Sequence, residues 1–126
     1  MPKSVFVSYD YADRAYLAQI RNWANQNLLG AVTITGETED HRQGGAGAIR
    51  NHISPKLTGA AAVLVLVGDN SHNRPWVDYE VNHALSAHKL VIPARLPGTT
   101  GASPVPIRST REVAFSASAI RRALGT

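Results

Sequence analysis

A chain of 126 residues is one domain long, with room for a single core and no second lobe. Hydrophobic residues make up 44% and charged residues 17%, which excludes a disordered chain. There is no cysteine, so a disulfide framework, a thiolate metal site and a cysteine nucleophile are excluded together. The net charge of +4 carries few interleaved aromatics and is too weak for a dedicated nucleic-acid binder. The longest apolar run, Ala60 to Val67, falls well short of the roughly 20 residues that cross a bilayer.

Met1 to Ser4 leads straight into a strand-like segment with no signal-peptide pattern, which predicts a cytoplasmic protein. Ser4 to Tyr9 is short, β-branched and aromatic, as a first strand requires. After a turn at Asp10 to Asp13, a helix is predicted to about Asn25, with Leu17, Ile20, Trp23 and Ala24 on one buried side. Ala31 to Thr35 forms the second predicted strand. Gly36 to Gly47 is polar and glycine-rich and predicts a mobile loop, followed by a helix from about Ala46 to Lys56.

Ala61 to Val67 has no polar alternation, the pattern of a central parallel strand covered on both faces. A loop from Gly68 to Arg74 leads to a helix from Pro75 to about His88, with proline in its first turn. Leu90 to Ala94 is the fourth strand, and the proline- and glycine-bearing stretch from Leu96 to Pro106 is an irregular connection. Glu112 to Phe115 predicts a short edge strand, and Ser116 caps a last helix from Ala117 to Leu124. Alternating strands and helices imply an α/β domain. Its sheet of four or five strands is mostly parallel, with helices on both faces.

In such sheets ligands bind beyond the carboxyl ends of the strands. Ser8-Tyr9-Asp10, Thr35-Gly36-Glu37 and Gly68 to Ser71 place polar groups there, directly after apolar strands. Trp76 and Glu80 lie four apart, hence on one helical face, beside a stripe of Val77, Val81, Ala84 and Leu85 that should meet the sheet. A carboxylate held against an indole at the edge of a buried stripe suits catalysis. The same spacing also fits a solvated glutamate beside a packing tryptophan.

Two phrases carry a resemblance. Val5 to Asp10 with Asp13 resembles the opening strand and loop of TIR domains. Val67 to Val81, with Ser71, Trp76 and Glu80, is similar to the short, stand-alone bacterial TIR-like proteins, including those of Thoeris anti-phage systems. The match runs in order from residue 3 to about 96. It implies a flavodoxin-like, three-layer TIR fold and an enzyme that cleaves NAD+, releasing nicotinamide. Glu80 occupies the position of the family's catalytic glutamate. Phe6, Ser8, Tyr9, Asp10, Ser71 and Trp76 align with positions around the substrate.

NAD+ is then substrate, with no separate cofactor and no metal. The product is ADP-ribose or a cyclic isomer that activates a separate effector protein. The resemblance also implies self-association through TIR surfaces, with no nucleic-acid or membrane partner. One departure is Val77, where many catalytic members have cysteine after the tryptophan. A non-catalytic TIR assembly module and a nucleoside N-glycosidic enzyme remain open as alternatives.

The other candidate motifs are weak. Gly44 to Gly47 lacks the lysine–serine/threonine ending of a P-loop. The five histidines show no ligand pair at the helical spacing of zinc enzymes. A response-regulator receiver would need a lysine closing its last strand, and no lysine follows Lys89.

Overall fold

The structure, a computed structural model, describes residues 3–36 and 57–126. Most of the glycine-rich loop predicted from Gly36 to Gly47, and the helix predicted from Ala46 to Lys56, lie outside the described residues. The strands are β1 (Lys3–Ser8), β2 (Val32–Gly36), β3 (Ala62–Val67), β4 (Leu90–Arg95) and β5 (Val113–Ala114). The α-helices are α1 (Arg14–Asn25), α2 (Pro75–Ser86) and α3 (Ala117–Leu124), with single 3-10 turns at Tyr11–Asp13, Ser71–Asn73 and Val105–Ile107.

Among the described residues the five strands are all parallel, in the order β2-β1-β3-β4-β5. The chain steps outward from β1 to β2, then returns past β1 to begin β3. The strand order therefore reverses between β1 and β3, the place where sheets of this kind bind ligands beyond the carboxyl ends of their strands.

Side chains alternate across the sheet and build two apolar layers. Val5, Val7, Leu64 and Leu66 pack with Leu17 and Ile20 of α1 and Ile120 and Leu124 of α3. Phe6, Val63, Val65 and Val67 pack with Val77, Val81 and Ala84 of α2. All six residues of β3 are buried, as its unbroken apolar sequence predicts. Leu85 departs from the expected stripe and is 38% exposed. It lies about 100° round the helix from Ala84 and so rolls off the covered side.

The last helix closes as its sequence predicts. Ser116 Oγ accepts the Ala119 N–H at 3.2 Å, and Gly125 ends the helix in the left-handed conformation at φ 73. Among the described residues no helix is long and apolar enough to cross a membrane.

Candidate functional site

The exit of β1 is buried from Val5 through Asp10, polar residues included. Alternation divides these residues between the two faces of the sheet. Phe6, Ser8 and Asp10 meet α2 and the turn before it, whereas Tyr9 joins Val5 and Val7 on the side of α1. Phe6 is fully buried in the apolar layer beneath Ser8. Tyr9 lines a groove of about 690 Å³ along α1, with Arg14, Ala18, Arg21 and Asn22. That groove lies across the sheet from Glu80. The candidate carboxylate, Glu80, therefore lies on the α2 side, away from that groove.

Glu80 is the central feature. It is only 4% exposed, and Ser8 Oγ donates a hydrogen bond of 2.7 Å to Glu80 Oε1. The carboxylate is more enclosed than a position at the edge of the stripe implies, and it is not a solvated helix residue. A carboxylate withdrawn from water needs such donors, because burial without them costs several kcal/mol (about 2–7 even for a neutral polar group). One turn up, the Trp76 side chain lies outside the described residues.

A second polar tie joins the same two elements. Arg74 Nε stands 3.2 Å from Asp10 Oδ1, with the aspartate side chain 2% exposed and the arginine 30%. Asp10 Oδ1 also accepts the Ala12 N–H at 3.4 Å. The sequence gives no local sign of Arg74 as a site residue. Its partner lies just past the end of β1, far away in the chain, and only the parallel packing of β1 beside β3 brings them together.

Ser71 is fully buried, but its hydroxyl is engaged with the loop itself. It accepts the Gly68 N–H at 3.0 Å and donates to the Gly68 carbonyl at 3.4 Å. Ser71 thus shapes the turn between β3 and α2.

Asp13 rests against the other side of that turn. A methyl group on Gly68 would lie 2.5 Å from Asp13 Oδ2, so any larger residue there would displace the carboxylate. Burial, then the charges of Asp10 and Asp69, raise the Asp13 pKa above its ordinary 3.8, with Arg74 opposing. The native state therefore pays for ionising Asp13, fully above the raised pKa and not at all below 3.8. Asp13→Asn is expected to raise the Tm at neutral pH, with the gain fading as acid protonates the native carboxyl. A gain undiminished at about pH 3 would exclude charge as the cause.

The connection after β4 braces the same turn from above. Arg95 grips Glu112 through two hydrogen bonds, Nε at 3.1 Å and Nη2 at 2.7 Å, and Ser103 Oγ donates to Glu112 at 2.8 Å. The Arg95 bond is the main reason that the Glu112 pKa is lowered. Thr100 N–H donates to Asp69 at 2.8 Å, and Thr99 Oγ1 to the Val67 carbonyl at 3.2 Å.

Gly101 then lies flat on the main chain of Gly68 and Asp69. A Cβ there would fall 2.3 and 2.5 Å from their carbonyl oxygens. Because backbone, not a flexible side chain, is in the way, Gly101→Ala should destabilise the fold by about 1–3 kcal/mol in urea unfolding. An unchanged midpoint would mean that the turn yields freely.

The sheet order and the buried Ser8–Glu80 pair have counterparts to be sought among known proteins. A family model described as "Thoeris protein ThsB, TIR-like domain" matches residues 6–101. The chain belongs to the ThsB TIR-like family. Its fold is similar to the TIR domain of the Toll-related receptor TRR-2 from Hydra magnipapillata, with TM-score 0.59 and 14% identity over 87% of this chain and 82% of that one. It is also similar to the TIR domains of the activated Roq1 resistosome that recognises the effector XopQ. There the TM-score is 0.52, with 16% identity over 98% of this chain and 70% of that one. No curated protein matches the chain. This member of the Thoeris family is a TIR-domain protein of anti-phage type, and the flavodoxin-like α/β fold expected of it is the fold observed.

Proposed function

We propose that this TIR domain cleaves the bond between nicotinamide and ribose in NAD+, with Glu80 as the catalytic carboxylate. The observation that carries this reading is the buried Ser8–Glu80 hydrogen bond at the exit of β1, where the strand order reverses. As the bond from ribose C1′ to the pyridinium nitrogen breaks, its electron pair neutralises the departing nicotinamide. Positive charge then builds on the ribose. A fixed carboxylate, shielded from water, stabilises that charge and accepts hydrogen bonds from the ribose hydroxyls.

Water as acceptor gives ADP-ribose and one proton. An adenine nitrogen or ribose hydroxyl of the same molecule gives a cyclic isomer, also with loss of one proton. A cyclic product would make the protein a signal generator for a separate effector. The enclosure of Glu80 in the single chain suits a site that opens when copies associate, and the Roq1 neighbour acts within an assembly.

The test is nicotinamide release from NAD+ by concentrated protein, alone and with assembly forced by crowding or tethering. Product masses separate hydrolysis from cyclisation. Release is expected under assembly; none in either state would leave an assembly module as the function.

A further inference from the structure

Ser8–Glu80 and Asp10–Arg74 are two ties between the same pair of elements. Ser8 ends β1 and Asp10 follows two residues later, and the side chains of both meet groups of α2 or the turn before it. Their partners bracket the first half of the helix. Glu80 lies six residues beyond Arg74, about 9 Å at the helical rise.

Arg74 holds the origin of that helix in two ways. Its main chain is extended, at φ −99 and ψ 117, as the following proline requires. Its carbonyl accepts the N–H groups of Val77 and Asp78 at 3.1 and 3.2 Å, starting the first turn. Its side chain meanwhile reaches back to Asp10. A shift of Arg74 therefore shifts the first turn of α2, and Glu80 with it.

We infer that Arg74 is a positioning residue for Glu80: paired with Asp10, it holds the start of α2 against the exit of β1, where Glu80 meets Ser8. Its consequence for rate rests on the NAD+ reading above; its geometry does not. The opposing possibility is that Arg74 binds the substrate diphosphate. The local charge argues against this, since Asp10 stands 3.2 Å from the guanidinium Nε and Asp13 and Asp69 lie close enough to act on one another. Those three aspartates would repel a diphosphate there.

Arg74→Gln, Arg74→Lys, Asp10→Asn and the Asp10→Asn/Arg74→Gln pair test the inference through two readouts. The first needs no activity. In protein carrying 13C-labelled glutamate, the Glu80 carboxyl resonance is identified by its loss in Glu80→Gln. It is expected to move in Arg74→Gln in the direction seen for Ser8→Ala, and to return toward wild type in Arg74→Lys.

The second readout is steady-state nicotinamide release. Arg74→Gln is expected to lose about tenfold or more in kcat, with KM for NAD+ held within about twofold. The double variant should be no slower than Arg74→Gln, because the two residues act as one unit. If Arg74→Gln does not fold, Asp10→Asn removes the same attraction without stranding a buried charge, and supplies the comparison.

A Glu80 resonance unmoved by loss of the pair overturns the inference. So does a raised KM with unchanged kcat, which would assign Arg74 to substrate binding. If wild type releases no nicotinamide even when assembled, the NAD+ reading fails, and the resonance alone decides whether the tie positions Glu80.

Discussion

Glu80→Gln is expected to lower nicotinamide release by about 10²–10³-fold or more while leaving the fold intact. Glutamine keeps the shape of the side chain and an oxygen able to accept the Ser8 hydroxyl, so the buried contact at 2.7 Å survives. What disappears is the negative charge that would oppose the developing charge on the ribose. A neutral amide also cannot take the charge-assisted hydrogen bonds that a carboxylate takes from sugar hydroxyls.

Ser8→Ala provides the graded companion. It leaves the charge but removes one donor, a bond to a charged group worth about 1.5–3 kcal/mol, so activity should fall by about tenfold or somewhat more. Full activity in Glu80→Gln, with an unchanged Tm, would sink the glycosidic mechanism. Equal losses in both variants, tracked by a falling Tm, would mean that the pair supports the fold alone.

Phe6→Ala is expected to cost about 3–5 kcal/mol of stability, the largest loss among the residues aligned with the substrate site. The ring is wholly buried between β3 and α2, in the layer that includes Val63, Val65, Val77 and Val81. Truncation removes its burial and leaves a cavity directly beneath Ser8, and the close-packed layer can collapse only in part. Against a whole-domain stability of about 5–15 kcal/mol, that is a large fraction. Urea unfolding gives the check. A midpoint near wild type, with a raised KM for NAD+, would show instead that the ring serves the substrate.

Much of the fold was legible because its signals are local. The unbroken apolar run of β3 marks a strand covered on both faces. Pro75 marks a helix start, and Ser116 marks the start of α3. Glu80 was legible as a candidate site residue only through its family phrase, since helical spacing alone suits a solvated glutamate. Leu85 shows the limit of a periodicity argument. The stripe gives a direction, but not how much of that side a neighbour covers.

By itself, the sequence determined the order of elements, the parallel α/β class and the polar residues at the strand ends. These follow from side-chain period, β-branching, capping and proline, each acting within a few residues. Only the tertiary structure decided how those polar residues divide. The half-turn between successive strand residues sends Ser8 and Asp10 toward α2 and Tyr9 toward α1. The crossover that seats β3 beside β1 joins Ser8 to Glu80 and Asp10 to Arg74, and folding Gly101 onto Gly68 and Asp69 fixes the turn between them. Such pairings depend on distances between segments far apart in the chain. No local pattern encodes them, because each is set by the packing of the whole sheet.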